Sequence, residues 1–222
     1  MTVAERLDEV RARIVAAGGT DVRIVAVTKG FGPDAIEAAV AAGCVDIGEN
    51  YAQELLAKMP EVRGPAPVVH FIGHLQTNKV KQLAPVVDVW QSIDRAGVVE
   101  AVARHAAPGS AVLVQVNVSG APQQGGCEPA EAAALVATAA RAGLQVTGLM
   151  AIGPAGEPAV ARPGFRLLRR LVDDLGLAEC SMGMTTDLEV AVEEGSTMVR
   201  VGTAVFGSRP GARSHPRAVQ AN

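Results

Sequence analysis

A regular alternation of short, β-branched apolar segments with alanine-rich segments of helical length places the strongest constraint on the fold of this chain. The apolar segments predict strands at residues 22–28, 45–48, 68–72, 87–92, 111–118, 145–152, a short segment ending near 181, and 198–201. The segments between them predict helices at residues 33–42, 52–58, 77–83, 95–107, 129–142, 163–175 and 187–194, after an opening helix at 3–17. Proline stands just inside several helix starts and glycine just past several helix ends, which supports these boundaries.

About eight such β–α units with short connections predict a parallel sheet, most economically a single (β/α)8 TIM barrel with an extra N-terminal helix. An open doubly wound sheet is the main alternative, but its nucleotide-binding form needs a glycine fingerprint that this sequence lacks. A length of 222 residues fits one domain. We therefore assign residues 1–207 to the barrel and predict a disordered tail at 208–222, which is rich in arginine, proline and alanine.

The composition excludes several classes of function. A formal net charge of −3 provides no basic surface for nucleic acid, and no run of about twenty apolar residues is present to cross a membrane. Residues 1–13 carry mixed charges and do not resemble a signal peptide. The three cysteines are far apart in sequence, so they predict neither a metal site nor a disulfide framework. A cytoplasmic protein is the simplest inference.

Lys29 follows an apolar strand segment and precedes Gly30, at a position where a buried strand ends and a loop begins. In a barrel the carboxyl ends of all strands converge on one face, where α/β enzymes place their reactive groups. Burial favours the neutral, nucleophilic form of a lysine, which can form a Schiff base with a carbonyl compound such as pyridoxal phosphate. The alternative is a strand-end lysine that extends its charge into solvent.

Two loops late in the sequence predict an anion site. Residues 181–187 form a small-residue loop before a helix that Thr185 or Thr186 could cap, and the last strand leads into Gly202 and Thr203. TIM barrels often bind phosphate with the loops after strands seven and eight, through backbone N–H groups. Each loop alone is typical of an ordinary capped helix start, but the pair favours phosphate binding.

Arg200, on the last predicted strand, has two interpretations. It could form a structural ion pair with Glu49 or Asp46, or its guanidinium could face the ring nitrogen of a bound cofactor. In the second case the cation keeps the ring nitrogen unprotonated, which weakens the ring as an electron sink. Asn50, after the second strand, could bond a cofactor hydroxyl or cap the helix that follows.

His70 and His74 have a spacing that would suit zinc on a helix, but the surrounding residues predict strand and loop. We therefore interpret His70 as a buried, hydrogen-bonded histidine and predict no metal site. Tyr51 and Trp90, the only residues of their types, are both expected to contribute to packing.

With these residues assembled, the sequence resembles the pyridoxal-phosphate homeostasis family, the YggS/PROSC-type proteins. The segments that carry the resemblance extend from the first strand to the last, and together they are highly specific. They are residues 27–29, 48–54, 70–79, 148–152, 181–184 and 195–207. The resemblance implies a fold-type III barrel like the N-terminal domain of alanine racemase, with pyridoxal 5′-phosphate (PLP) bound as an internal aldimine of Lys29.

The resemblance also implies roles for the other site residues. Arg200 would face the pyridine nitrogen, and Asn50 would lie near the ring. The residues that would bind the phosphate group are Ser181 or Thr185, together with Gly202 and Thr203. This chain has Thr185 where the family commonly has serine, so a hydroxyl is retained. It has Gln124-Gly125-Gly126 in place of a lysine–serine–glycine stretch, so a cation is lost at the mouth of the barrel.

Two functions are compatible with these assignments. The first is a carrier that regulates PLP supply, and indirectly amino-acid and keto-acid pools, as a monomer that transfers PLP transiently to apoenzymes. The second is a PLP-dependent amino-acid racemase of low activity. Racemisation needs proton transfer on both faces of the substrate Cα, yet the sequence offers one clear base, Lys29, and Arg200 weakens the electron sink. We therefore predict a binding protein without catalytic residues rather than an enzyme.

Overall fold

The chain forms a closed barrel of eight parallel strands, seen in a computed structural model that describes residues 1–208. The strands are β1 (Arg23–Val27), β2 (Asp46–Glu49), β3 (Val68–Phe71), β4 (Val89–Ile93), β5 (Ala111–Gln115), β6 (Gln145–Met150), β7 (Glu179–Ser181) and β8 (Met198–Val201). Each strand pairs with the next in sequence, and β8 pairs with β1 to close the barrel. This confirms the predicted (β/α)8 TIM barrel and excludes the open sheet. From residue 209 onward, the predicted tail lies outside the described residues.

Helices surround the barrel and cover its outer face. They are α1 (Val3–Ala16), α2 (Pro33–Ala41), α3 (Ala52–Lys58), α4 (Thr77–Leu83), α5 (Ala96–His105), α6 (Ala132–Arg141), α7 (Arg162–Asp174), α8 (Leu188–Glu193) and α9 (Thr203–Phe206). Short 3-10 turns follow α3 and precede α6 and α7. The extra N-terminal helix is thus confirmed as α1. Among residues 1–208, no helix is both long enough and apolar enough to cross a membrane.

Local signals explain where the helices begin and end. α1 begins with a capping box, in which Thr2 and Glu5 exchange side-chain-to-backbone hydrogen bonds of 2.8 and 3.2 Å. Proline lies in the first turn of α2 and α7, where no backbone N–H is needed. Glycines with a positive φ follow four helices, as the sequence predicts, and they are Gly43, Gly143, Gly176 and Gly195.

The hydrophobic core lies between the strands and the helices. Trp90 and Phe71 are almost completely buried there, with ring centroids 6.5 Å apart, which confirms the predicted packing role of Trp90. The same prediction for Tyr51 is wrong: this residue is 55% exposed, because it precedes α3 on the open face of the barrel. A second apolar cluster joins α1, α8 and α9 to β1 and β8, so the first helix packs against the last β–α units.

Candidate functional site

A cavity of about 400 Å³ opens at the carboxyl ends of the strands, and we call it the central cavity. Its polar wall is formed by Lys29, Asn50, Thr185, Thr186, Arg200, Gly202 and Thr203. Its apolar wall is formed by Val27, Ile72, Ile152 and Met184. The structure therefore brings together all the predicted site residues except Ser181. The cavity combines two basic side chains, an amide and several hydroxyl groups over an apolar surface, which suits a small polar ligand with a flat apolar part.

Ser181 lies below the cavity and is fully buried on β7. Its Oγ donates to Gln91 Oε1 at 2.7 Å and accepts from Arg200 at 2.7 Å. The hydroxyl of Ser181 thus acts as both a donor and an acceptor inside the barrel and does not face the central cavity. Thr185 is the member of the Ser181–Thr185 pair whose side chain lines the cavity.

Arg200 reaches the central cavity from β8 and is 4% exposed. Its guanidinium donates to Ser181 Oγ and to the carbonyl oxygen of Ala151, each at 2.7 Å. Burial lowers the pKa of Arg200 to about 10, because desolvation disfavours the charged form. The side chain therefore remains a cation at neutral pH.

The predicted alternative, in which Arg200 pairs with Glu49 or Asp46, is wrong. Glu49 pairs with Lys58 at 2.8 Å, and Asp46 contacts His70 at 2.9 Å. Among residues 1–208 no carboxylate lies within ion-pair distance of Arg200. The interpretation of His70 as a buried, hydrogen-bonded histidine is confirmed.

Lys29 is half-buried on the loop after β1, and a second lysine supports its backbone. Lys58, the last residue of α3, is only 5% exposed. Its Nζ donates to the carbonyl oxygen of Thr28 at 2.9 Å, to Glu49 Oε1 at 2.8 Å and to Glu54 Oε1 at 2.7 Å. We call Thr28, Glu49, Glu54 and Lys58 the Lys58 cluster.

The Lys58 cluster fixes the backbone on both sides of Lys29. The hydroxyl of Thr28 donates to Glu49 Oε1 at 2.5 Å, and the N–H of Gly30 donates to Glu54 Oε1 at 2.5 Å. Burial raises the pKa of Glu49, while the hydrogen bonds within the cluster act in the opposite direction. The loop that carries the lysine amine is therefore tied to a buried ion pair.

Asn50 contributes an acceptor that the described part of the protein leaves unused. Its Oδ1 is buried and has no hydrogen-bond partner among residues 1–208. The predicted capping role of Asn50 is wrong, because α3 begins after Tyr51 and no side chain caps it. Since an unsatisfied buried acceptor costs about 1–3 kcal/mol, its presence on the cavity wall fits a site for a hydrogen-bond donor of a ligand.

The two predicted anion loops are in direct contact. Thr185 Oγ1 accepts from the N–H of Ala204 at 3.3 Å, which connects the loop after β7 with α9. The prediction that Thr185 or Thr186 caps α8 is wrong, because Asp187 occupies the cap position and accepts from the N–H of Met184 at 2.6 Å. The hydroxyl hydrogen of Thr185 is therefore available to a ligand in the central cavity.

The N-terminal helix supports the same loop, a contact that sequence reasoning missed. Arg13 donates to the carbonyl oxygen of Thr185 at 2.9 Å and forms a bidentate ion pair with Glu189 at 2.6 and 2.9 Å. Hydrogen bonding from Arg13 lowers the pKa of Glu189. α1 thus positions part of the cavity wall from outside the barrel.

An adjoining cavity of about 430 Å³ lies beside Asn50 and is lined by the loop that follows β5. Gln124, in the stretch that departs from the family pattern, donates there to the carbonyl oxygens of Ile152 at 2.9 Å and Gly153 at 3.3 Å. An uncharged amide therefore occupies this part of the rim. Within residues 1–208, no three histidine, cysteine or carboxylate side chains come together as a metal site requires.

The sequence and the fold of this chain are similar to those of known proteins. The family model described as "Alanine racemase, N-terminal domain" matches residues 2–210. A protein of Pseudomonas aeruginosa named "Pyridoxal phosphate homeostasis protein" is 41% identical over 221 residues, which cover 94% of this chain and 96% of the relative. PipY of Synechococcus elongatus PCC7942, solved without PLP, is 33% identical with a TM-score of 0.84, covering 93% of this chain and 100% of that one. Its structure "with PLP bound" is 32% identical over the same shares, with a TM-score of 0.82.

Proposed function

Because the chain belongs to the alanine racemase N-terminal domain family and, within it, to the pyridoxal phosphate homeostasis proteins, we propose that it binds PLP in the central cavity and acts in the supply of this cofactor. The observation that carries the proposal is the convergence of Lys29, Arg200 and the two connected anion loops on one cavity. A PLP complex of a similar protein, PipY, supports it.

The residues on the cavity wall fit each functional group of PLP. The amine of Lys29 would form a Schiff base with the aldehyde, and the guanidinium of Arg200 would face the ring nitrogen. The unused acceptor of Asn50 suits the ring hydroxyl, which can donate. The phosphate group would be bound by Thr185, Gly202 and Thr203, where the two anion loops meet.

Close approach of backbone to the phosphate requires a residue without a side chain at Gly202. A Cβ atom at this position would lie 3.2 Å from the carbonyl oxygen of Val27, a tight contact at the edge of the cavity. Ser181 is proposed to act indirectly, by holding Arg200, rather than by binding phosphate.

We propose a carrier rather than a racemase. Bound PLP supplies an electron sink for amine chemistry, and the cation of Arg200 weakens that sink. Among the described residues that line the central cavity, Lys29 is the only amine, and no histidine, cysteine, tyrosine or carboxylate side chain is present beside it to act as a second base. Tyr51, the single tyrosine, lines a neighbouring cavity and is 55% exposed. The protein is proposed to work in the cytoplasm as a monomer that delivers PLP transiently to apoenzymes.

The visible spectrum of the purified protein tests the binding proposal. Wild-type protein with PLP should be yellow, and borohydride should convert the link to a stable secondary amine, located at Lys29 by mass spectrometry of the peptides. Lys29→Ala should be colourless or bind weakly. Lys81→Ala, which removes an exposed lysine on α4, is the matched control and should behave as wild type. Fixation of PLP on another lysine in the wild-type protein would contradict the proposal.

Incubation with L-alanine and other L-amino acids tests the choice between carrier and racemase. We expect no appreciable formation of the D-isomers by the PLP-loaded protein. Turnover near that of a median enzyme, about 10 s⁻¹, would show that the carrier assignment is wrong.

A further inference from the structure

A continuous row of hydrogen bonds, buried except at its Asp46 end, connects Arg200 with the amino end of β2. Arg200 donates to Ser181 Oγ at 2.7 Å, and Ser181 Oγ donates to Gln91 Oε1 at 2.7 Å. Gln91 Nε2 lies 2.7 Å from His70 Nδ1, and His70 Nε2 lies 2.9 Å from Asp46 Oδ1. We call these five residues the cross-barrel network. It passes through β8, β7, β4, β3 and β2.

The cross-barrel network has a single consistent direction of donation. A guanidinium only donates, so Ser181 Oγ accepts from it and directs its own hydrogen to Gln91 Oε1. This fixes the amide of Gln91 so that Nε2 donates to His70 Nδ1. Neutral His70 must then carry its hydrogen on Nε2 and donate it to the carboxylate of Asp46. Donors therefore run in series from a buried cation to a carboxylate.

Arg200 needs such support because it is a buried charge. It is 4% exposed, and its direct partners are a hydroxyl and a backbone carbonyl rather than a carboxylate. Hydrogen bonds in series in a medium of low dielectric polarise one another and become stronger. Gln91 and His70 are both 0% exposed, so the middle of the series is closed to water, while the side chain of Asp46 at its end is 16% exposed. Gln91 Nε2 also contacts Met198 Sδ at 3.1 Å, as expected for a donor beside a sulfur acceptor.

We propose that Asp46, His70 and Gln91 are positioning residues that set the direction in which Arg200 presents its charge to the central cavity. The hydroxyl hydrogen of Ser181 is held by Gln91, and this leaves a lone pair of Ser181 Oγ directed at Arg200. The orientation of Gln91 in turn depends on the acceptor nitrogen of His70, which Asp46 selects. The inference rests on the proposed function, because Arg200 is taken there to contact PLP.

Asp46→Asn is the sharpest variant, because it keeps an acceptor oxygen for His70 and removes the charge at the far end of the network. We expect the dissociation constant for PLP to rise about 3- to 10-fold, with a shifted absorption maximum of the bound cofactor. Ser92→Ala is the matched control. Ser92 follows Gln91 on β4, is buried, and its Oγ has no partner among residues 1–208. This control should change neither the affinity nor the spectrum.

A double-mutant cycle with Arg200→Gln separates positioning from a general structural role. If Asp46 acts through Arg200, Asp46→Asn should weaken PLP binding in the wild-type background and have little effect in the Arg200→Gln background. An equal loss in both backgrounds would overturn the proposal, as would an unchanged affinity of Asp46→Asn beside normal binding by wild type. Failure of wild type itself to bind PLP would instead contradict the proposed function.

The apo protein gives a readout that needs no cofactor. Nitrogen-15 NMR of the imidazole should show the proton of His70 on Nε2, with Nδ1 as an acceptor. Gln91→Leu should shift the Nδ1 resonance, because its donor is removed. A proton on Nδ1 in the wild-type protein would reverse the direction of donation and overturn the proposal.

Discussion

The two basic side chains of the central cavity are supported in opposite ways. On the β1 side, the loop of Lys29 is tied to Lys58, which pairs directly with the carboxylates of Glu49 and Glu54. On the β8 side, Arg200 donates to neutral partners, and the carboxylate of Asp187 acts on its charge through space. The carboxylate of Asp46 lies at the far end of the cross-barrel network. A direct ion pair fixes the backbone but neutralises the cation. Neutral acceptors hold a cation in place while leaving its field available to a ligand.

Breaking the ion pair on the β1 side should have the largest effect on stability. Lys58→Met leaves the carboxylate of Glu49 buried without its cation, so the free energy of unfolding of the apo protein should fall by about 3–5 kcal/mol. Urea unfolding followed by circular dichroism measures this. Lys81→Met, at an exposed position on α4, should stay within about 0.5 kcal/mol of wild type. A similar small change for Lys58→Met would show that the buried pair contributes little.

The corresponding change on the β8 side should affect binding more than stability. Arg200→Gln removes hydrogen bonds to two neutral acceptors, so the apo protein should lose only about 1–2 kcal/mol. The dissociation constant for PLP should rise by about tenfold or more, because the cation that is proposed to face the cofactor is gone. Fluorescence titration and urea unfolding of the same preparation measure both quantities. The contrast between the two sides disappears if Arg200→Gln destabilises the protein as much as Lys58→Met.

Asn50, which follows β2 on the wall of the central cavity, should show opposite effects of truncation on the stability of the apo protein and on PLP binding. Asn50→Ala removes a buried acceptor without a partner, so the apo protein should be unchanged or up to about 1 kcal/mol more stable. PLP binding should weaken about 3- to 10-fold. Ser92→Ala removes a different unsatisfied polar atom, a hydroxyl that does not line the central cavity, and should match the stability result without the loss of binding. Tighter PLP binding by Asn50→Ala would contradict a role for this acceptor.

The smallest effect on stability is expected for the Arg13–Glu189 ion pair, which supports the cavity wall from the protein surface. Since Arg13 lowers the pKa of Glu189, the pair stabilises the fold above the ordinary carboxyl pKa, and this contribution is lost as the pH falls through the lowered value. Screening by solvent limits it to about 0.5 kcal/mol. Glu189→Gln should therefore destabilise the protein slightly at pH 7, and this difference from wild type should shrink as the pH is lowered below the ordinary carboxyl pKa, as measured by urea unfolding. Glu100→Gln, at an exposed position on α5, is the control.

Most of the fold could be predicted because its signals are local. Apolar runs of strand length, separated by helical runs that begin near proline and end at glycine, fix the order of the elements and their approximate boundaries. The closure of the sheet is not local, but eight consecutive β–α units leave few alternatives. The wrong predictions concern single side chains. Tyr51 is an example, because its exposure depends on the course of the loop before α3.

The candidate site was predictable only where a residue stands at the end of a strand. Lys29, Thr185 and Arg200 lie near the carboxyl end of a strand or on the loop that follows it, and they line the cavity. Ser181 also ends a strand but is buried in the barrel. Lys58 could not be recognised, because a glutamate and a lysine four residues apart on a helix usually form a surface pair. Only the folding of α3 over the end of β1 buries it. Gln91 was missed for a similar reason, since its partners come from strands distant in sequence.

The pairing of β1 with β8 has a consequence for the synthesis of the protein. The amine of Lys29 leaves the ribosome early, whereas Thr185, Arg200 and Gly202 follow only after the rest of the barrel has been made. A nascent chain halted midway would carry a reactive amine but no pocket around it. Under the proposed function, the site for PLP is therefore complete only after β8 and the residues that follow it have been made.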